Sequence, residues 1–560
     1  MLNKFIDNRF SKYYTTVIIL LSFLILSVLS GFFLYHSHFV AMEWDLEFHW
    51  QRILEMKKSL LNGDFFSLVA VNYFHQSGSA VMAMYPKINL VPMVILSFFI
   101  KSQVVFFNVS FMIRNFFALL ISYYSSYYFN KNKSSSFVFA VSYVLSDMGI
   151  YYYAGVSALG TLSVITYLPL VMFGFLSLIK KNKWIELTIG MSAILLSHVL
   201  SFGIVILFLF LLLIPNLKCF KNIIKIQSLL KAILVTIMIT GIFWIPFIWI
   251  SLNNKMIIPT SDSIEGNSFL TLATVSLNNV VSDYIGVLSI VGMLLGFLYY
   301  KRLDKFKKQL LWISVIFIYF ASGLFPWSIA SHTFISHIQF PSRLYIIPQV
   351  ILCYIFSETF LMIAIVKLRR KFSVLFITIL VILMQMGAQE FLVNSNSGRP
   401  ELDSGYNYDV NYVLRNNKDF SNIIHSKSNS TDYYPMESVP VVNDISNGII
   451  TYDNKKVKTK KYGDGKYYFI LKKDASNLTI PFLHYKGLTY QVKLDDKIVN
   501  SYSNDHSLIS IKNIKKGKHV IKVMALKSWY DYLSYVLSSL GIIILLYSLI
   551  KEYWLKRKNE

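Results

Sequence analysis

The stretch YTTVIILLSFLILSVLSGFFLY (residues 14–35) contains no charged side chain. A helix of about 20 apolar residues is needed to cross a hydrocarbon core about 30 Å thick. A cleaved signal peptide has a shorter apolar core, about 7–15 residues long, so the stretch predicts a permanent first transmembrane helix. Lys4, Arg9 and Lys12 precede it, and basic flanks favour the cytoplasm. The N-terminus is therefore predicted to be cytoplasmic.

The composition of the whole chain agrees with a membrane protein. Among 560 residues, 55% are hydrophobic and 15% are charged, and the mean hydropathy is +0.50; a soluble chain carries about 25% charged residues. The net charge of +24 does not indicate nucleic-acid binding, because the basic residues concentrate in short loops between apolar stretches. Such loops follow the positive-inside rule. The two cysteines, Cys219 and Cys353, predict no structural disulfide.

The apolar stretches and the charges between them predict a polytopic α-helical protein of the plasma membrane with about twelve crossings and both termini in the cytoplasm. Two of the crossings share residues 184–215, with a break at Ser197-His198. The others are residues 14–35, 104–129, 137–150, 160–179, 231–251, 285–300, 309–325, 344–366, 373–391 and 530–550.

The short apolar stretch 88–100 is not counted as a crossing. A crossing there would move the basic loops at Lys131/Lys133 and Lys180–Lys183 to the outside, against the positive-inside rule. We expect a juxtamembrane or re-entrant helix at the outer face. Residues 1–391 then form a transmembrane domain with a large first outer loop at 37–87.

Residues 392–528 are predicted to form an extracytoplasmic β-sandwich-like domain, and residues 529–560 a final transmembrane helix with a basic cytoplasmic tail. Alternating segments end at turns such as Asp464-Gly465 and Lys516-Gly517, as expected for short antiparallel strands. The segment has 21 Lys and Arg against 13 Asp and Glu. Its basic surface is expected either to bind an anionic wall polymer or simply to be solvated.

The first outer loop supplies the candidate catalytic residues Asp45, Glu47 and His49. A carboxylate there can act as a general base on an acceptor hydroxyl, or can hold a divalent cation such as Mg²⁺ or Mn²⁺; the sequence requires no cofactor. In a helix, Asp45, His49 and Arg52 share one face, whereas Glu47 does not, and Arg52 is a candidate for substrate binding. An ordinary amphipathic surface helix explains the same spacing.

Further candidates for substrate binding come from later segments. A charge in the middle of a span is costly, so Arg114 is predicted to face the bundle interior, either in a structural ion pair or against a phosphate. Asp147, His198, His337 and Arg343 are predicted at outer helix ends, where they would converge with Asp45. A guanidinium suits bidentate phosphate binding, although an isolated histidine at a helix end is also a common surface residue.

The segment WDLEFHWQRILEMKKSLLNGDFF (residues 44–66) resembles the first outer loop of GT-C membrane glycosyltransferases, with Asp45 after the first helix, then Gly63-Asp64-Phe65 and later Tyr85-Pro86. The chain is more particularly similar to bacterial YfhO-like membrane proteins, also called pyruvoyl-tetrahydropterin-synthase-related. The matching segments are Asp45–Arg52, Tyr85-Pro86, SHVLS (197–201), IQFPSR (338–343) and 481–497.

This resemblance implies a polyprenyl-phosphate-linked sugar as donor, Asp45 as the base or metal ligand, and Arg343 as a phosphate contact. It adds Tyr85 and Gln339 to the substrate-binding candidates. After Asp147 the chain reads YYYAGVSALGT (151–161), without the arginine and acidic residue of that branch, so a second catalytic carboxylate is not identified.

The function expected from these observations is extracytoplasmic glycosyl transfer from a membrane-bound polyprenyl-phosphate sugar to a cell-envelope glycopolymer. A transporter or flippase of a lipid-linked envelope precursor is the first alternative, although no repeat relates the two halves of the chain as in many transporters. A non-catalytic envelope assembly protein is the second alternative.

Overall fold

The fold is described from a computed structural model. It describes residues 2–43, 45–259, 264–367, 370–400, 412–424, 431–453 and 455–559. Trp44 of the GT-C-like segment and residues 368–369 of a predicted basic loop lie outside the described residues.

Most of the chain is helical. The α-helices are α1 Leu2–Leu29, α2 Phe32–His36, α3 Leu46–Leu61, α4 Val81–Met84, α5 Val91–Leu96, α6 Gln103–Asn130, α7 Lys133–Val144, α8 Asp147–Ile150, α9 Leu159–Lys181, α10 Ile185–Leu195, α11 Val199–Leu213, α12 Ile223–Ile239, α13 Gly241–Asn253, α14 Phe269–Leu277, α15 Val287–Leu298, α16 Lys305–Ala321, α17 Trp327–Ala330, α18 Ile346–Lys367, α19 Arg370–Ser395, α20 Asn417–Ile424, α21 Val442–Asn447 and α22 Trp529–Asn559. Short 3₁₀-helices connect several of them, and Tyr151–Gly155 is a π-helix.

Capping side chains determine where several of these helices begin. Ser102, Asn132, His198 and Asp304 each accept a backbone N–H of the first turn of α6, α7, α11 and α16. The first turn of a helix has N–H groups without an intrahelical partner, and such side chains satisfy one of them. The helix starts are therefore encoded locally, as the predicted break at Ser197-His198 shows: α10 ends at Leu195 and α11 begins at Val199.

Among the described residues, six helices are long and apolar enough to cross a membrane, and a bent pair raises the number to seven. They are Gln103–Asn130, Leu159–Lys181, Val199–Lys221, Pro341–Ile363, Lys371–Ser395 and Trp529–Leu555. The bent pair is α12 and α13, which meet at 68°, where the sequence predicted one span over 231–251. Tyr14–Leu29, α10 and α15 are shorter apolar helices. The chain is thus a membrane protein, and twelve crossings stay a prediction.

Small residues let the helices of the bundle approach closely. A Cβ on Gly174 of α9 would lie 2.5 Å from the backbone nitrogen of Leu187 in α10. A Cβ on Gly190 of α10 would lie 2.9 Å from the backbone nitrogen of Val171 in α9. Glycine on both sides of one helix pair allows close packing of two backbones, as in many membrane proteins.

The strands lie in three sheets. They are β1 Val40–Met42, β2 Tyr412–Leu414, β3 Ile449–Tyr452, β4 Lys455–Lys458, β5 Lys460–Lys461, β6 Lys466–Leu471, β7 Ala475–Leu483, β8 Thr489–Leu494, β9 Lys497–Val499, β10 Ser501–Ser503, β11 Leu508–Ile514 and β12 Gly517–Leu526. The two larger sheets have five antiparallel strands each, in the orders β10-β11-β7-β3-β4 and β5-β6-β12-β8-β9. Alternate residues of both sheets, such as Ile480 and Ile521, share one buried apolar cluster.

The segment after the first helix packs against the C-terminal part of the chain. This part includes the two five-stranded sheets formed by β3 to β12, which are called the β-rich region below. Strand β1 pairs with β2 about the Ala41–Val413 register, and the Leu483 N–H donates to the Ser77 carbonyl at 2.8 Å. An ion pair of 2.8 Å joins Lys527 to Asp64. Contacts between residues some 400 positions apart therefore hold the first loop in place.

We expect Gly78→Ala to destabilise this contact between the first loop and the β-rich region. Gly78 has φ +71°, and a Cβ there would overlap the ring of Phe482. The left-handed backbone costs about 1–2 kcal/mol for a residue with a Cβ, and the overlap adds about 1–3 kcal/mol. The measurement is thermal unfolding of the detergent-purified chain.

Gly63→Ala is the matched control, because Gly63 has φ +79° but nothing lies within 4 Å of its would-be Cβ. Gly78→Ala should lower the melting temperature more than Gly63→Ala. Equal melting temperatures would show that the packing against Phe482 contributes nothing.

Candidate functional site

A cavity of about 1550 Å³ lies where the helix bundle meets the β-rich region. Its wall comes from the start of α3, the Tyr85-Pro86 segment, the start of α11, the loop after α13, the residues around α17 and the residues 432–433. The structure brings seven of the sequence-predicted site residues to it, namely Asp45, Glu47, Tyr85, His198, His337, Gln339 and Arg343.

Asp45 precedes the first residue of α3 and lines this cavity half-buried. Its backbone N–H donates to the Val156 carbonyl at 3.2 Å, while its carboxylate makes no hydrogen bond with the described residues. Burial raises the pKa of Asp45 to about 6, against the lowering effect of the Arg343 charge, and the negative charge of Asp432 adds to the rise. A carboxylate that titrates near neutrality is suited to accept a proton.

Arg343 contributes the positive charge that acts most strongly on Asp45. Its Nη1 donates to Gln339 Oε1 at 2.6 Å and to the Ile338 carbonyl at 3.2 Å, and the guanidinium lies 5.0 Å from the ring centroid of Phe340. Among the described residues, its Nε and Nη2 donate to none. Those donors are available for an anion, which a guanidinium binds in a bidentate manner.

Gln339 holds Arg343 from an unusual backbone conformation. It has φ +62°, and its side-chain Nε2 donates to the Pro259 carbonyl at 2.6 Å. The predicted Gln339 site residue thus contacts the arginine and the loop after α13 at the same time. Non-glycine residues with positive φ persist where surrounding contacts fix them.

His198 caps α11, and its imidazole lines the cavity in the neutral form. Nδ1 accepts the Ser201 N–H at 3.4 Å and contacts the Ser201 hydroxyl at 2.8 Å, which leaves the proton on Nε2. Burial and, to a smaller extent, the charges of Arg343 and Arg52 lower the pKa of His198 to about 3. His198 is therefore a hydrogen-bond donor rather than a cation at neutral pH.

A glycine in α9 makes room for the contact between Tyr85 and His198. Their ring centroids are 5.7 Å apart, and a Cβ on Gly160 would lie 2.5 Å from the Tyr85 hydroxyl and 3.0 Å from His198 Cδ2. Even the smallest side chain would displace one of the two rings from the wall.

Arg52 and His49 lie behind this wall rather than in it. The fully buried Arg52 guanidinium donates to the carbonyls of Pro86 at 2.5 Å and of Tyr85 at 3.2 Å, and to His49 Nδ1 at 3.2 Å. It also lies 4.4 Å from the centroid of the Tyr85 ring. Burial lowers the pKa of His49 well below its usual range. Neither His49 nor Arg52 lines the cavity. The catalytic role predicted for His49 and the binding role predicted for Arg52 therefore have no direct contact to rest on.

Glu47 lines the edge of the cavity and is buried. Its Oε1 accepts the Gln51 side-chain N–H at 2.9 Å, and Gln51 Oε1 in turn accepts the Phe74 N–H at 2.7 Å. The backbone at Phe74 is left-handed, with φ +52°. Glu47 is thereby connected to the turn that contacts the β-rich region.

Arg114 and Asp147 are not brought to this cavity. Arg114 faces the bundle interior as predicted, where it donates to Thr166 Oγ1 at 2.8 Å and to the Leu162 carbonyl at 3.1 Å. These contacts join α6 to α9. Asp147 lines a separate small cavity together with Gly286 and Gln349. Their predicted roles in substrate binding have no support from the geometry.

Three acidic residues near this site were not identified from the sequence. Asp432 and Glu265 line the cavity, and Asp283 accepts a hydrogen bond from the Ser342 side chain beside Arg343. Asp432 lies in the polar segment TDYYP (431–435). The local sequence signal for a site there was an acidic residue followed by two tyrosines and a proline.

The described residues contain no group of three or more His, Cys, Asp or Glu positioned to hold a metal ion. Asp45 and Asp432 are the two cavity carboxylates whose charges interact. A divalent cation between them would require oxygen ligands from substrate or water as well, since Mg²⁺ prefers six.

These observations define a membrane protein with a large cavity at the junction of a helix bundle and a β-rich region. No protein-family profile matches the sequence, and no curated protein matches it. A crystal structure of ArnT from Cupriavidus metallidurans bound to undecaprenyl phosphate is similar at 10% sequence identity, with a TM-score of 0.38 over 68% of this chain and 72% of that one.

We expect Arg52→Met to destabilise the protein. The substitution keeps an apolar stem of similar length but leaves the Tyr85 and Pro86 carbonyls without their donor, at about 1–3 kcal/mol for each unsatisfied group. The melting temperature of the purified protein should fall by several degrees.

Arg302→Met is the control, because Arg302 is exposed and its guanidinium, among the described residues, contacts the ring of Tyr299 at 5.5 Å. If both variants melt together with the wild type, the buried guanidinium does not hold the cavity wall.

Proposed function

We propose that this chain is an extracytoplasmic glycosyltransferase of the GT-C type, which transfers a sugar from a polyprenyl phosphate to a cell-envelope glycopolymer. The observation that carries the proposal is the arrangement of Asp45 and Arg343. A carboxylate without a hydrogen-bond partner among the described residues and a guanidinium with unused donors line one cavity and interact electrostatically.

The two groups suit the two ends of a glycosyl transfer. The Asp45 carboxylate takes the proton of an acceptor hydroxyl while the hydroxyl oxygen bonds to the anomeric carbon of the sugar. The bond from that carbon to the donor phosphate oxygen breaks, and the lipid phosphate leaves with the electron pair. The Arg343 guanidinium stabilises the negative charge that develops on it.

The apolar part of the cavity wall is suited to a lipid donor. Val199, Leu200, Phe247 and Phe325 line the cavity beside the polar groups. Leu324, next to Phe325, has 66% of its surface exposed. In a membrane protein, an exposed apolar residue beside an apolar opening is favourable where lipid replaces water. A prenyl chain entering there would place its phosphate towards Arg343.

The proposed orientation puts both termini in the cytoplasm and this cavity on the outer face of the plasma membrane. The support is the charge of the loops, because the ends opposite the β-rich region carry clusters such as Lys180, Lys181 and Lys183 and basic loops stay inside. The β-rich region would then meet the envelope, where its excess of lysines favours an anionic polymer.

We expect Asp45→Asn to abolish transfer. Loss of a general base costs about 10²–10⁴-fold in rate, while the amide keeps the size of the side chain. The measurement is mass spectrometry of envelope glycans from a deletion strain complemented with each variant, together with the amount of protein in the membrane.

Asp496→Asn is the matched control, since Asp496 is exposed in the turn between β8 and β9. Full glycan modification by Asp45→Asn at normal protein levels contradicts the catalytic role. A deletion strain whose envelope glycans equal those of its parent contradicts the proposed function itself.

The pH dependence of the reaction follows from the raised pKa of Asp45. With a pKa of about 6, the carboxyl is ionised and able to accept a proton above that pH and is protonated below it. We expect the rate of glycan transfer by membrane vesicles to fall as the pH drops through about 6. A rate that stays constant between pH 7 and pH 5 contradicts Asp45 as the base.

A further inference from the structure

The segment 431–436, which leads into the β-rich region, contributes Asp432 and Tyr433 to the cavity wall. The Tyr433 N–H donates to the Ile257 carbonyl at 2.9 Å, the Ile257 N–H to the Tyr434 carbonyl at 2.9 Å, and the Met436 N–H to the Lys255 carbonyl at 2.9 Å. This short antiparallel ladder attaches the segment to the loop after α13.

Contacts from two other parts of the chain fix the same segment. The Tyr485 hydroxyl donates to the Tyr433 carbonyl at 3.0 Å, and the Tyr434 hydroxyl lies 2.9 Å from Ser77 Oγ. Tyr433 itself has φ +65°. A bulky residue in this backbone region is strained, and such strain persists where surrounding contacts fix it, often at functional sites. The consequence here is that Asp432 and Tyr433 both line the cavity.

The carboxylate of Asp432 differs from the buried Asp419 and the half-buried Asp444 in the same part of the chain. Asp419 accepts the Arg415 N–H at 2.7 Å, and Asp444 pairs with Lys456 at 2.8 Å. Asp432 is half-buried, yet its carboxylate makes no hydrogen bond and no ion pair with the described residues. Burial raises its pKa. Partial removal of a carboxylate from water without a partner is unfavourable, and a ligand that donates hydrogen bonds to it would offset that cost.

The charges around the cavity indicate which ligand that is. Asp45 interacts with both Arg343 and Asp432, whereas burial is the cause of the raised pKa of Asp432. A donor phosphate is attracted to Arg343 and repelled by Asp432. An ionised carboxylate can only accept hydrogen bonds, so it binds hydroxyls and other donor groups. A sugar or polyol that receives the transferred sugar carries several hydroxyls.

We infer that Asp432, held by the strained Tyr433 backbone, forms an acceptor subsite that binds hydroxyl groups of a sugar or polyol next to the hydroxyl that reacts at Asp45. The inference rests on the proposed function. It makes the segment before the β-rich region part of the site that selects the acceptor.

The experiment compares Asp432→Asn, Asp432→Glu, Asp45→Asn and the control Glu437→Gln in the complemented deletion strain. Glu437 is exposed and its side chain lies outside the cavity. Two quantities are measured for the full-length protein: the envelope glycan product per membrane-inserted molecule, and the shift in melting temperature of the purified protein on adding undecaprenyl phosphate.

We expect Asp432→Asn to lower the product by about 10–100-fold, the value of a hydrogen bond to a charged group, with an unchanged melting shift from the lipid phosphate. Asp432→Glu should recover part of the product, and Glu437→Gln should equal the wild type. This pattern separates acceptor binding from donor binding and from folding.

Three results would overturn the inference. Wild-type product from Asp432→Asn, while Asp45→Asn loses it, leaves the proposed function standing and removes the subsite. A lost lipid shift or a low membrane level in both Asp432 variants assigns the residue to donor binding or to folding. Finally, a wild-type gene that restores no glycan to the deletion strain removes the proposed function and this inference together.

Discussion

The buried guanidinium of Arg52 donates to the carbonyls of Tyr85 and Pro86, and the cavity wall depends on this contact. Moving a charge out of water is costly unless its donors are satisfied. Among the described residues, Arg52 has no carboxylate partner. Its guanidinium is stabilised instead by the two carbonyl oxygens, by His49 and by the face of the Tyr85 ring. This arrangement joins α3 to the Tyr85-Pro86 segment without neutralising Asp45.

The contact of Arg52 also affects the pKa of Asp45, because Asp45 directly precedes α3, the helix that carries Arg52. If Arg52 had paired with Asp45, the carboxylate would be stabilised in its charged form and its pKa would be low. Instead Arg52 is only a minor influence on Asp45, after burial, Arg343 and Asp432. Arginine therefore has two uses here: Arg52 binds backbone carbonyls, and Arg343 supplies the positive charge that acts most strongly on Asp45.

The sequence was sufficient for the elements that depend on local signals. Charge-free stretches, capping side chains and alternating strands are encoded within a few residues, and the break at Ser197-His198 and the strands of the β-rich region lie where these patterns predict them. The bend of 68° between α12 and α13 was missed, because a continuous apolar stretch carries no sign of a change in direction.

The site was only partly predictable for a related reason. Helical spacing shows that Asp45, His49 and Arg52 share a face, but the same face points to the cavity at its first turn and into the protein interior afterwards. Asp432 was missed because its position depends on pairing with residues 255–257, and no local pattern in a polar segment reports a distant partner. Local periodicity identifies candidates, and only the tertiary contacts separate those in the wall from those behind it.

In the proposed transfer reaction, the charges that line the cavity would also control the protonation of Asp45. Among the described residues, the cavity lining includes the acidic side chains of Asp45, Glu47, Glu265 and Asp432 and one arginine, Arg343. A phosphate entering alone would add negative charge and raise the pKa of Asp45 further. In the proposed reaction, contact of that phosphate with Arg343 would offset the rise, so that one guanidinium would both hold the donor and keep the base ionised. Departure of the lipid phosphate would then restore the field of Arg343 to Asp45 and favour release of the captured proton.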